Sequence, residues 1–297
     1  MLGLEIVARD VFKVYRIGKV EVQALRGLSM EVGDGEIVSI IGPSGSGKTT
    51  LLNLIGGLDK PTAGSIRVGG IEVSGLSPRQ LTDYRRETVG YIFQNLNLIP
   101  TLTAAENIEL PMIALGTPRG KRRERVRVLL EVVGLLHRAD HKPDELSGGE
   151  QQRVAIAVAM ANDPPVILAD EPTGELDSVN AKMVTQYLVD VSKKFKKTVI
   201  MVTHDSNVAR AADRIMRIED GVIKESLEPM RLAETVKPPS YMEQIRARLA
   251  SINAQLRDLD REFRAGIIDG DEYVRRRLKL TSLKSSLEDE LQRMGTL

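Results

Sequence analysis

The sequence predicts an α/β fold: a phosphate-loop core with an antiparallel β layer and a helical subdomain, followed by a C-terminal α-helical hairpin. Three observations carry this expectation. The stretch Gly42-Pro43-Ser44-Gly45-Ser46-Gly47-Lys48-Thr49-Thr50 lies between an apolar run, Ile37 to Ile41, and a helix-like run that continues to Ile55. Strand, glycine loop and helix in that order are the setting of a phosphate-binding loop. A second apolar run, Val166 to Ala169, ends in Asp170-Glu171. From Tyr241 onward, apolar residues step by three and four, as on one face of a helix.

Taken in order, residues 4–41 and 64–73 alternate as short strands between glycine turns and should form the antiparallel layer. The strand before the phosphate loop, Val166 to Ala169 and Thr198 to Val202 should build the central sheet, with Arg214 to Ile218 a further candidate. Residues 101–162 carry helical periodicity, with caps expected at Thr103 and Ser147. Within them, Arg119-Gly120-Lys121-Arg122-Arg123-Glu124-Arg125 reads as a solvated helix face.

The chemistry follows from residue type. Glycines let successive N–H groups turn toward phosphate oxygens, and a helix N-terminus adds partial positive charge. Ser44, Gly45, Ser46, Gly47 and Thr50 belong to this cradle. Lys48 reaches the β- and γ-phosphates, and the Thr49 hydroxyl is a ligand for Mg²⁺. Kinases, GTPases and motor ATPases share these features, so the loop does not choose among them. Asp170 is placed to hold Mg²⁺ through water, and Glu171 to polarise an attacking water, although apolar strands often end in acids for no catalytic reason. Ser147-Gly148-Gly149 opens a helix and offers free N–H groups to an anion.

With Leu146-Ser147-Gly148-Gly149-Glu150 in place, the chain resembles the ATP-binding cassette (ABC) family, whose signature is Leu-Ser-Gly-Gly-Gln. Over roughly residues 2–228, the resemblance implies several further roles. Tyr15 stacks on adenine. Gln94 contacts Mg²⁺ and the attacking water, and faces a membrane subunit. Asp177 lies in a loop that crosses a dimer interface, and His204 contacts the γ-phosphate. Two copies pair head to tail, each ATP lying between one phosphate loop and the partner copy's Ser147 to Gly149 segment. Asn95 to Pro100, Thr103 to Pro111, His141-Lys142-Pro143 and Glu171-Pro172-Thr173-Gly174 look like the lipoprotein-releasing and macrolide-exporter branch. Glu150 stands where Gln is usual, Glu175 where Asn or Ala is frequent, and Val158 where Arg is usual. Glu150 adds negative charge close to the phosphate site supplied to the other copy.

Composition narrows the alternatives. The 297 residues have a net charge of +1, 3% aromatic residues and no cysteine. That balance gives no field for nucleic acid and no basic–aromatic interleaving for single strands. Disulfides, thiol catalysis and cysteine metal sites are excluded. No apolar run has the length of a membrane span, and the first residues do not read as a secretory leader. The expectation is an ATPase subunit at the cytoplasmic face of a membrane, attached through separately encoded permease subunits. A cell-division ATPase that signals without transport, or a soluble non-transport cassette, remains an alternative.

The expected domain division is a cassette over 1–228, a Pro-containing linker over 229–239 and a helical hairpin over 240–297. Its stripe runs through Ile245, Leu249, Ile252, Leu256, Leu259 and Phe263, then Leu280, Leu283, Leu287, Leu291 and Met294, with Asp269 or Asp271 capping the second helix. Gly266-Ile267-Ile268 followed by Asp271-Glu272-Tyr273 resembles a short C-terminal domain of prokaryotic proteins. A dimer-stabilising coiled coil and a regulatory element are equally open.

Overall fold

The computed structural model describes residues 3–18, 20–174, 176 and 178–227, and, toward the C-terminus, 249, 252–253, 255–257, 259–261, 263, 269–270, 272–278, 280–281 and 284. The chain divides into two compact units, Met1–Pro229 and Met230–Leu297.

In the first unit, β1 (Ile6–Ile17) and β2 (Val20–Val32) form a long antiparallel ribbon, continued by β4 (Ala63–Val68) and β5 (Ile71–Glu72) in the order β2-β1-β4-β5. At 12 and 13 residues, β1 and β2 exceed the short strands expected from the sequence. The central sheet has the order β10-β9-β3-β8-β7-β6. Its strands are β3 (Ile37–Ile41), β6 (Val89–Ile92), β7 (Val166–Asp170), β8 (Thr198–Val202), β9 (Arg214–Glu219) and β10 (Val222–Leu227). β3 lies in this sheet, as expected for the strand before the phosphate loop, and β9 is a true member of the parallel set. Every residue of β7 and β8 is buried, as expected for parallel strands covered on both faces.

Two sheet members were not legible in advance. β10 pairs antiparallel with β9 at the sheet edge. β6 is short and interrupted by Gly90, which weakens a strand pattern. That glycine answers to packing: a Cβ there would lie 2.3 Å from the carbonyl oxygen of Ala159. Gly90 thus lets the helix after the signature approach the sheet closely.

Helices α1 (Lys48–Ile55) and α2 (Pro78–Glu87) flank the sheets, and α3 (Ala104–Ala114), α4 (Arg119–Val132) and α5 (Gly148–Ala159) make the helical subdomain. Thr103 and Ser147 each cap through a capping box, closed by Glu106 and Glu150. The basic face of α4 is only partly solvated. Arg122 reaches Glu109 at 2.8 Å, and Arg125 donates to the Met160 carbonyl at 2.9 Å, tying α4 to α3 and to the end of α5. α6 (Ser178–Phe195) and α7 (Ser206–Ala209) complete the unit. One core joins the helical subdomain to the sheet through Leu129, Ile156, Ile167 and Met201. The other joins α1 to both sheets through Leu51, Leu52, Ile66, Val38 and Val202.

In the second unit, Ile252 and Leu259 of the expected stripe are buried, whereas Phe263 is exposed at its edge. Phe263 stacks on Tyr273 with centroids 4.3 Å apart, and Asp260 accepts from the Tyr273 hydroxyl and from Arg277, each at 2.7 Å. Asp269 accepts from the Glu272 N–H at 2.8 Å, an N-cap contact. The expected linker 229–239, Ile245, residues 264–268, Asp271 and the stripe from Leu283 onward lie outside the described residues.

Candidate active site

The parallel register brings the decisive residues to one edge. Ile40 pairs with Val202, Asp170 with Val202, and Ile92 with Ala169. The ends of β3, β6, β7 and β8 are therefore level. Just past these ends lie the glycine loop after β3, Gln94 after β6, Glu171 after β7 and His204 after β8. Ligands of open α/β sheets bind at this carboxyl edge.

The loop's shape depends on two close approaches. Gly47, N-cap of α1, has φ of 101°, and a Cβ there would lie 2.5 Å from the Ala24 carbonyl oxygen. A Cβ on Gly42 would lie 2.1 Å from the Ile218 carbonyl oxygen. The loop is thus clamped between β2 and β9, and the Gly221 N–H closes it by donating to Ser46 O at 3.1 Å. Ser44 and Gly45 are exposed on the loop, Ser46 is buried, and Thr50 lies in the first turn of α1. Lys48 is buried and donates to the Gly42 and Pro43 carbonyls, each at 2.8 Å, so its ammonium sits inside the loop.

The Thr49 hydroxyl donates to Asp170 Oδ1 at 3.1 Å. Burial pushes the Asp170 carboxyl up, Glu171 adds to the rise, and the Thr49 hydrogen bond and Lys48 oppose it. Glu171 has φ of 46°, a strained region for a residue with a side chain, and is held there by its N–H to Val202 O at 2.9 Å. Its Oε2 lies 3.3 Å from His204 Nδ1. Gln94 is exposed in the turn after β6. Behind it, Tyr91 stacks on Phe93 at 4.2 Å and donates to Asn53 Oδ1 at 2.9 Å, linking β6 to α1.

Tyr15 lies on β1, half-buried, with its hydroxyl donating to Asp59 Oδ2 at 2.9 Å. Burial first, and then Asp59, raise the Tyr15 hydroxyl above its ordinary value. The signature sits elsewhere, with the helical subdomain. Gly148 packs near Leu176, and Gly149 against Asn180 at the start of α6. Asp177, between these two, lies outside the described residues, as does Glu175.

Glu150 is held in the first turn of α5. It accepts from the Ser147 N–H at 2.8 Å, and Arg138 pairs with it at 3.2 Å. Burial pushes its carboxyl up, but the Ser147 hydrogen bonds and the charges of Arg138 and Arg153 outweigh that and hold it below its ordinary range. Its carboxylate thus closes the helix cap and pairs with Arg138. Arg138 gave no signal in the sequence, because its pairing depends on a turn that only the fold supplies.

The family described as ABC transporter matches residues 25–174. An uncharacterized ABC transporter ATP-binding protein of Thermotoga maritima is 51% identical over 72% of this chain and 92% of that protein. This chain belongs to the ABC transporter family. It is an ATP-binding cassette with the ATPase fold of that family. The solved cassette MJ0796, a dimer in a post-hydrolysis state bound to ADP and Pi, superposes with a TM-score of 0.70, is 45% identical, and covers 75% of this chain and 98% of that one. The macrolide export ATP-binding/permease protein MacB of Rhodospirillum rubrum is 47% identical over 74% of this chain, which spans 34% of that longer protein. Among the described residues of this cassette, no helix is long and apolar enough to cross a membrane.

A cavity of about 320 Å³ opens between α2, β6 and α3, lined by Leu58, Arg85, Tyr91, Phe93, Pro111 and Asn162 among others. Leu58, Leu110 and Ile113 are exposed in the same part of the cassette.

Proposed function

We propose that the cassette hydrolyses ATP between two head-to-tail copies and passes the motion to separate membrane-spanning subunits, acting at the cytoplasmic face. The observation that carries the catalytic part is the 3.1 Å hydrogen bond from Thr49 to Asp170, with the Glu171–His204 pair beside it. It brings the phosphate loop and the acidic strand end to one point.

In this reading, Ser44 to Thr50 cradle the phosphates through backbone N–H groups, and Lys48 turns from its loop carbonyls to the β- and γ-phosphates. Thr49 and Asp170 supply hard oxygen donors already in contact, which fit Mg²⁺ completed by phosphate oxygens and water, with Gln94 reaching in from β6. When bound, Mg²⁺ neutralises charge on the phosphates. Glu171 accepts a proton from the attacking water. His204 orients the Glu171 carboxylate and holds the γ-phosphate side. Tyr15 stacks on the base. Gly148 and Gly149 offer the first N–H groups of α5, and Ser147 its hydroxyl, to the ATP of the other copy, and in this reading Asp177 belongs to the loop that crosses that interface. The two anion-binding segments have different neighbours within one chain, Asp170 and Gly221 for the loop and Leu176 and Asn180 for the signature, and the dimeric state of the solved relative supports pairing. The cavity beside Phe93 is the groove for the membrane subunit, next to Gln94.

Lys48→Ala should weaken MgATP binding roughly tenfold or more, since a charge-assisted contact contributes about 1.5–3 kcal/mol. Fluorescent-nucleotide titration measures it, and an unchanged affinity would remove Lys48 from the site.

The second unit, read as the hairpin 240–297, lies outside the ATP chemistry and serves association or regulation. Truncation after Glu228 should leave a folded cassette that still binds ATP, with a change in oligomeric state or basal hydrolysis. Light scattering and an ATPase assay check this. A truncated chain that unfolds or fails to bind nucleotide would make the tail part of the core.

A further inference from the structure

We propose that Asp59 and Lys13 form a brace that fixes the plane of Tyr15 for the nucleobase, with Asp59 the positioning residue. The inference rests on the reading of Tyr15 as the base contact.

A tyrosine on a strand near a hairpin tip has rotational freedom at χ1 and χ2, and stacking on a base must restrict it. Here the restriction is built in. The Tyr15 hydroxyl donates to Asp59 Oδ2 at 2.9 Å, while the Lys13 ammonium lies 2.7 Å from Asp59 Oδ1 and 4.8 Å from the centre of the Tyr15 ring. Lys13 covers one ring face, and the base takes the other.

Asp59 is itself held. The Lys60 N–H donates to its Oδ1 at 2.7 Å, and Lys13 donates to the Lys60 carbonyl at 2.8 Å. The backbone N–H of Leu58 donates to Asn53 O at 2.9 Å, which anchors the segment to the last turn of α1. On the other side, the Thr62 N–H donates to Phe12 O at 2.8 Å, and the Val14 N–H to the Thr62 hydroxyl at 3.0 Å, fastening residues 59–62 to β1. α1 thus holds phosphates at its N-terminus and the base-stacking strand at its C-terminus. The brace sets the spacing between the two. The benefit is preorganisation: a side chain already immobile loses no further freedom when the ligand binds.

The test compares ATP with tripolyphosphate, which lacks a base, by competition against a fluorescent nucleotide on the full chain. Y15A should weaken ATP roughly 5- to 100-fold, the range for loss of one base–aromatic stack, and leave tripolyphosphate unchanged. D59A and Y15F should each weaken ATP about three- to tenfold, again with tripolyphosphate unchanged. The double variant D59A/Y15F should be no weaker than the worse single one, because both remove the same contact. D59N, which keeps an acceptor for the hydroxyl but loses the charge facing Lys13, should fall between wild type and D59A. If D59A does not fold, Y15F and D59N make the same comparison. Equal losses for ATP and tripolyphosphate, or additive losses in the double variant, would show a merely structural Asp59 and overturn the brace. If Y15A leaves ATP affinity untouched, the base-stacking reading of Tyr15 itself fails, and the brace with it.

Discussion

Replacing Glu171 with Gln is expected to lower ATP hydrolysis by roughly 10²–10⁴-fold while leaving ATP binding intact, the range for loss of a positioned general base. Gln is nearly isosteric with Glu, so the strained backbone at φ of 46° and the approach to His204 at 3.3 Å need not change. What the amide cannot do is accept a proton. The substitution also removes a negative charge that pushes the neighbouring Asp170 carboxyl up, second to burial as an upward influence. Closure of two copies requires only bound ATP, and E171Q should therefore accumulate as an ATP-dependent dimer. Size-exclusion chromatography with and without ATP, together with a phosphate-release assay, checks both parts. Near wild-type hydrolysis would rule out Glu171 as the base, and a chain that stays monomeric at saturating ATP would rule out the ATP-closed dimer.

Gly47→Ala is expected to damage the site by a different route, through backbone shape. At φ of 101°, an alanine is strained before any neighbour is considered, by about 1–2 kcal/mol. Its Cβ would also press against the Ala24 carbonyl oxygen at 2.5 Å, a backbone atom of β2 that cannot swing aside. The loop must move away from β2, and the 3.1 Å bond from the Gly221 N–H to Ser46 O goes with it. If two N–H groups of the cradle are displaced, at about 1.5–3 kcal/mol for each bond to a charged oxygen, ATP affinity should fall roughly 100-fold or more. The melting temperature should drop as well, by roughly 4–8 °C for a loss of about 2 kcal/mol in a unit of this size. Differential scanning fluorimetry and nucleotide titration read the two effects separately. Wild-type behaviour in both would mean that the loop tolerates a side chain at Gly47 and is not clamped as described.

Much of this arrangement was legible in the chain because it is written locally. Gly42 to Thr50 is a contiguous motif whose shape depends on glycines at fixed places. The caps at Thr103 and Ser147 need only a hydroxyl and an acid three residues on, and both boxes formed. β7 and β8 are continuous apolar runs, the pattern of strands covered on both faces. Where the local pattern was ambiguous, the fold was harder to read. β6 contains a glycine whose purpose is a helix packed 2.3 Å from where its Cβ would be, and nothing near Gly90 in sequence announces Ala159. The arginines of α4 read as a solvated face, yet Arg122 and Arg125 serve as interhelical ties.

The sequence by itself determined the phosphate loop, the acidic strand end, the helix caps and the family to which they point, since each is a short-range code of residue type and spacing. Tertiary structure alone decided which of these groups meet. Thr49 and Asp170 are separated by 121 positions, and their contact exists because β3 and β7 end level in a parallel sheet. The same holds for Tyr15 and Asp59, 44 positions apart, and for the pairing of Glu150 with Arg138. Such pairings are set by strand order and register, which result from burying the two apolar cores together. No local run of residues contains that information.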